Sequence, residues 1–179
     1  MIRRTTGEML KIAFPNITFP PNKYIDLVEP TDHISDKLYF SNLRNEDELY
    51  NILNRNKDIF RHTPRYCELD FIAEIENAKT NIFIELKSRN IKLNVYKSTI
   101  FPLNKIEYYR NLKLLNRGVN NLLLLIFSFI DENGDNNYYY IQYNKDLFSS
   151  YNKMKLPNGI YYNILIKDLK PLEELKIIS

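Results

Sequence analysis

Cysteine is nearly absent: Cys67 is the sole one in 179 residues, so no internal disulfide and no multi-cysteine zinc site can form within the chain. An intracellular, reducing environment is the simplest expectation, and a disulfide bridging two copies is the other use of a lone thiol. Glycine is almost as scarce. Four glycines leave no Gly-rich loop of the kind that cradles the phosphates of a nucleotide or dinucleotide. The chain has no Gly-x-Ser-x-Gly elbow, no His-Glu-x-x-His and no paired Cys/His spacing, so none of those chemistries is signalled. Long hydrophobic runs are missing as well. The longest, Leu122 to Ile130, is far too short to span a bilayer and reads as a buried strand. Met1 to Thr6 runs into mixed polar sequence without the apolar stretch of a signal peptide. A soluble protein without membrane contact is the expectation. Net charge of one sign is also modest. A formal +3 permits a polyanionic partner without demanding one.

What is present is ordinary globular material, 44% apolar and 13% aromatic, in a length that suits one folded unit over 1–179. No repeat, low-complexity tract or Gly/Ser linker divides it. Residues 1–44 are broken by Phe14-Pro15 and Phe19-Pro20-Pro21 and read as an N-terminal extension, with Lys23 to Val28 a short strand at most. From Asn45 the period is helical: Leu49, Ile52, Leu53 and Phe60 recur at three- and four-residue steps behind Glu46, Asp47 and Glu48, which predicts a helix ending between Asn56 and Phe60. After Pro64 the period changes to two. Tyr66 to Ile75 and Asn81 to Lys87 read as paired strands joined by a turn at 76–80. An irregular extended segment follows. The pattern then predicts a helix over Pro102 to Arg117 stopped by Gly118, a buried strand over Val119 to Ile130, a turn at 131–136 and a strand over Asn137 to Tyr143. Residues 144–179 form a C-terminal extension with a strand at Ile160 to Ile166 and a short helix after Pro171. The order predicts an α/β fold with a mixed central sheet flanked by helices.

One group of residues carries a chemical signal. Glu85 and Lys87 are two apart on a strand, so they share a face while Ile84 and Leu86 take the other. Asp70, on the partner strand, can point toward Glu85 across the hairpin. Two carboxylates so placed repel one another unless a proton or cation intervenes, and oxygen ligands on rigid strands suit Mg²⁺ or Mn²⁺. A lysine beside them can stabilise charge developing at phosphorus. The triplet itself is commonplace: with 22 acids and 16 lysines, roughly two acidic-x-Lys triplets arise by chance, and Asp168-Leu169-Lys170 and Glu174-Leu175-Lys176 are two more. What separates Glu85-Leu86-Lys87 is that it closes the apolar run Ile82-Phe83-Ile84, where unpaired charge is costly, and has Asp70 on a neighbouring strand. The alternative is a solvated strand end.

The run Glu68-Leu69-Asp70-Phe71-Ile72, a turn, then Ile84-Glu85-Leu86-Lys87-Ser88 resembles the core of the PD-(D/E)xK nuclease superfamily, which includes type II restriction enzymes and archaeal Holliday-junction resolvases. The resemblance covers about residues 45 to 143. The proline of the motif is replaced by Leu69. It implies a restriction-endonuclease-like sheet and a metal-dependent nuclease, favouring DNA endonuclease over RNA endonuclease, with a homodimer plausible for cutting two strands. Asp70 and Glu85 would ligate Mg²⁺ or Mn²⁺ with the Leu86 carbonyl, and Lys87 would be the catalytic lysine. A further acid from the preceding helix is best matched by Glu48, then Glu46, or by Glu8 if the N-terminal segment supplies that helix. Ser88, Arg89, Lys105 and Arg110 fall where similar nucleases meet nucleic acid, and His62 is a candidate extra ligand. The Tyr138-Tyr139-Tyr140 and Tyr161-Tyr162 clusters are read as sheet residues before base-stacking ones. A nuclease-fold module that binds nucleic acid or protein without cutting is the rival expectation.

Overall fold

The computed structural model describes residues 16–19, 36–63 and 68–176, with side chains of the first helix described from Arg44 onward. Glu8, Cys67 and the strand expected at Lys23 to Val28 lie outside the described residues. Helix α1 spans Asp36–Leu53, beginning nine residues before the expected start. It ends because Asn54 takes over the backbone: its side chain accepts from the Ile59 and Phe60 amides at 3.1 and 2.9 Å and donates to the Phe60 carbonyl at 3.1 Å. Phe60 therefore packs under the helix instead of belonging to it. Strand β1 is Arg61–His62, and β2 (Phe71–Ile75) pairs antiparallel with β3 (Thr80–Arg89), the expected hairpin. Its turn is a single 3₁₀ turn closed by Lys79, whose φ of 46° is left-handed.

The segment read as irregular holds a further strand, β4 (Ser98–Pro102), which leads directly into helix α2 (Leu103–Leu115). Gly118, at φ +89°, lets the chain leave α2 where a side chain would be strained. Strand β5 (Asn120–Ile130) then returns parallel to β3, and β6 (Asn136–Gln142) pairs antiparallel with β5. The C-terminal part adds helix α3 (Lys145–Ser150), strands β7 (Lys153–Leu156), β8 (Gly159–Leu165) and β9 (Lys170–Pro171). The helix expected after Pro171 is one 3₁₀ turn, Leu172–Glu174.

The result is a mixed α/β fold with two sheets. The central one has the order β1-β2-β3-β5-β6-β9, and β4-β8-β7 form a second. Because strand side chains alternate, the central sheet buries both faces. On one, Ile82, Ile84, Leu86, Leu124 and Ile126 meet Leu49 and Leu53 of α1, with Phe60 and Leu172. On the other, Phe83, Leu123, Leu125 and Phe127 meet Ile106, Tyr109 and Leu112 of α2 and Phe101, Tyr162 and Ile164 of the second sheet. Residues 144–176 share this core through Phe148, Tyr162 and Ile164. Among the described residues no helix is long and apolar enough to cross a membrane.

Candidate active site

Parity on β3 sends Glu85 and Lys87 to the α2 side of the sheet, the side of Phe83 and Phe127. Glu85 is 1% exposed, and a lone carboxylate in such a place carries a desolvation cost of several kcal/mol, so counter-charge must be near. Two ammonium groups supply it. Lys87 Nζ donates to Glu85 Oε1 at 2.5 Å, and Lys105 Nζ, from the first turn of α2, approaches the same oxygen at 3.1 Å. Lys105 also donates to the Glu68 carbonyl. Burial alone would depress the Lys105 ammonium, but Glu85, Asp70 and Glu68 together hold it above its usual value. The second oxygen, Glu85 Oε2, is buried with no hydrogen-bond partner among the described residues.

Asp70 lies just before β2, where the chain bends. Its amide donates to the Ile84 carbonyl at 3.0 Å, and its carboxylate Oδ2 accepts from the Leu86 amide at 2.6 Å. The amide and carbonyl of one strand residue point to the same side, so the Leu86 carbonyl also looks toward Asp70. Thr63 fixes the bend from the other side, its amide donating to the Asp70 carbonyl at 3.0 Å and its hydroxyl to the Leu69 carbonyl. Burial, and next the charge on Glu85, push the Asp70 carboxyl up to about 8, against the pull of Lys87, the Leu86 amide and Lys105. In the metal-free protein Asp70 therefore holds a proton that the unfolded chain releases near pH 4. Stability should fall as pH rises from about 4 to about 8 and level off above that, since the folded state binds more protons across the window. Thermal unfolding in a chelator across this range checks it: the decline should be smaller in Asp70→Asn, and an identical profile in that variant would contradict the assignment.

The two helix acids divide differently from expectation. Residues two apart on a helix point about 200° apart; burial and then the charge on Glu85 raise the Glu46 carboxyl, and Lys87 lowers it. Glu48, the preferred match, accepts from Asn136 of β6 at 2.9 Å and adds to burial in raising the Tyr138 hydroxyl. Glu46 is thus an acid in the field of Glu85. Glu68 is a second such acid, raised by burial, lowered by Lys105 and raised by Glu85. No spacing rule singled it out for a role of its own.

Lys105 is brought into the cluster itself, a closer engagement than the phosphate contact expected of it. The other candidates are held elsewhere. Ser88 faces the α1 side and accepts from Asn45 at 2.8 Å. Arg89 shares the Lys87 face but ties the two sheets together, donating to Thr99 Oγ1 at 3.0 Å and the Ile100 carbonyl at 2.6 Å. Arg110 is engaged by the Tyr143 hydroxyl at 3.0 and 2.8 Å. His62 stacks on Tyr50 with centroids 4.6 Å apart and lies tilted against Phe71 at 4.8 Å. Tyr138 and Tyr162 are buried in the two cores, so those rings are not free to stack on bases.

Among the described residues no three His, Cys, Asp or Glu side chains form a metal cage by themselves. The donor set is two carboxylates with an adjacent backbone carbonyl. All of it is hard oxygen, and one buried carboxylate oxygen is left over, which fits a cation that keeps several waters.

Fold and site together define a mixed α/β protein whose central sheet carries a buried carboxylate, Glu85, paired with two lysines, with the half-buried Asp70 beside it. Comparison with protein-family models, with curated proteins and with solved structures finds no match to this chain.

Proposed function

We propose that this protein is a metal-dependent nuclease that hydrolyses phosphodiester bonds, with DNA the favoured substrate, built on a restriction-endonuclease-like core. The observation that carries the reading is Glu85: buried at 1% exposure, gripped on Oε1 by two ammonium groups, without a partner on Oε2 among the described residues, and in the field of a second, half-buried carboxyl, Asp70. A purely structural ion pair is usually satisfied on both oxygens. Asp70, Glu85 and the Leu86 carbonyl would hold Mg²⁺ or Mn²⁺, with Glu46 adding negative charge from α1. When bound, such an ion supplies Lewis-acid polarisation of a phosphodiester and acidifies water.

The chain's own residues do the rest. Asp70 would release its proton to solvent on binding the cation, and the Leu86 amide would keep its carboxylate oriented. Lys87, whose side chain is 25% exposed, is the ammonium free to turn from Glu85 toward charge developing on a phosphoryl oxygen. Lys105, at 20%, stays anchored on the Glu68 carbonyl and keeps Glu85 paired.

Supercoiled plasmid, branched and single-stranded DNA, and RNA, each incubated with the protein in Mg²⁺ or Mn²⁺ and in chelator, test the reading. Metal-dependent cleavage of at least one is expected. No cleavage of any, with no heat of Mn²⁺ binding by calorimetry, would leave the non-catalytic binding module as the better account.

A further inference from the structure

Charge is segregated along this chain in a way its modest total conceals. Residues 86–106 and 147–167 hold eight lysines and arginines and not one aspartate or glutamate, which leaves the remainder with 17 basic residues against 22 acidic. The two acid-free spans are distant in sequence but meet in space, because they contain β4, β7 and β8, the whole of the second sheet. Its pairing explains why: Ser98 to Pro102 lie opposite Leu165 to Tyr161, and Lys153 to Leu156 lie opposite Tyr162 to Gly159.

Five of the eight cations, Lys92, Lys97, Lys153, Lys155 and Lys167, are exposed. Lys92 has one weak partner, Glu132 at 3.5 Å, itself 90% exposed, a pair of little worth in water. Lys153 lies over the Tyr162 ring at 5.5 Å. Lys97 and Lys167 are neighbours at one end of the sheet, where the Ile166 amide donates to the Lys97 carbonyl at 3.0 Å. Lys155 sits on the β7–β8 hairpin at the other end. Unpartnered apolar side chains accompany them: Tyr96 is 62% exposed, Met154 41% and Ile160 44%.

The sheet is continuous with the candidate active site. Arg89, two residues beyond Lys87, bonds to Thr99 and Ile100 of β4. Strand β4 runs into α2, whose Lys105 reaches Glu85. On the hairpin, Met154 is opposite Tyr161, and Tyr161 is opposite Pro102, three residues before Lys105. The sheet is thus joined to the Glu85 site at two points, through Arg89 and through the start of α2.

We propose that the β4-β8-β7 sheet is a nucleic-acid-binding surface, its exposed lysines following the phosphate backbone into the site. This rests on the nuclease reading for the choice of polyanion. Phosphate contacts by lysine release counterions, so affinity must fall with salt, by a slope that tracks the number of contacts.

The test is fluorescence polarisation of labelled duplex and single-stranded DNA, in chelator and at several salt concentrations, with wild type and with Lys97→Glu/Lys155→Glu/Lys167→Glu. The reversal should weaken binding by about tenfold or more and flatten the salt slope by about two to three contacts. It should leave the melting temperature and the heat of Mn²⁺ binding unchanged. The reversal Lys57→Glu/Lys176→Glu, in a groove between the end of α1 and the C-terminal turn, should leave affinity intact. A wild type that cuts DNA beside a triple variant that binds it equally well overturns this inference and spares the nuclease. A wild type that binds through the sheet but never cuts supports the inference and removes the nuclease. A triple variant released from anionic vesicles with DNA affinity unaltered overturns the inference in favour of a lipid surface.

Discussion

Asp70→Asn is expected to fold like the wild type and to lose metal-dependent cleavage by about three orders of magnitude, ~4 kcal/mol of barrier. The asparagine carbonyl oxygen can still accept the Leu86 amide hydrogen bond that Oδ2 accepts at 2.6 Å, so the bend before β2 keeps its anchor. Because the Asp70 carboxyl is pushed up to about 8, chiefly by burial and next by Glu85, the metal-free wild type already carries a neutral side chain there at pH 7. The substitution therefore removes little but the ability to become an anion when a cation arrives. Melting temperature at pH 7 should hold, and calorimetric Mn²⁺ affinity should drop with the rate of plasmid nicking. Glu85→Gln is a poorer experiment. It would leave Lys87 and Lys105 facing a neutral group, and breaking a buried pair from one side costs about 3–5 kcal/mol. Its inactivity would then be inseparable from misfolding. An Asp70→Asn protein that nicks plasmid at the wild-type rate would remove Asp70 from the site.

The hairpin that carries this site is legible because the alternation read over Tyr66 to Ile75 and the apolar run Ile82-Phe83-Ile84 are local signals, and the helix–strand–strand succession after it follows from breaks at Pro102 and Gly118. Strand β4 is not. It is five residues long, ends in proline, and its partner strand among the described residues begins 57 residues after it ends, so nothing in Ser98 to Pro102 by itself announces pairing. Helix α1 was entered too late because Glu46-Asp47-Glu48 resembles an acid-rich first turn, a pattern equally compatible with a helix interior. The same limit governs the site. Asp70 and Glu85 can be matched across a hairpin from sequence, since register is a local matter. The choice between Glu46 and Glu48 depends on how α1 is rotated over the sheet, set by Leu49 and Leu53 packing on Ile84 and Leu86. Lys105 required knowing that α2 begins beside β3, which is a consequence of β4 joining the second sheet. Charge segregation, by contrast, is readable by counting. It means nothing until the two acid-free spans are known to share a sheet.

Lys87→Met should separate chemistry from binding. Methionine keeps an unbranched apolar stem against the sheet and deletes the charge, while Lys105 remains 3.1 Å from Glu85 Oε1, so the buried carboxylate is still paired and the fold should hold. With one positive charge fewer beside Glu85, Mn²⁺ affinity should stay level or rise. Cleavage should nevertheless fall by about three orders of magnitude, ~4 kcal/mol, because the charge that develops at phosphorus has lost its nearest mobile cation. That opposition of affinity and rate is what a merely structural lysine cannot produce: loss of a structural pair would lower stability and leave the chemistry of the surviving folded molecules intact. Lys87→Arg should recover no more than about tenfold, because a planar guanidinium does not occupy the point that Nζ holds 2.5 Å from Oε1. Full activity in Lys87→Met would transfer the role to Lys105, the other ammonium on the same oxygen. The double substitution with Lys105→Met would then be the variant that abolishes cleavage.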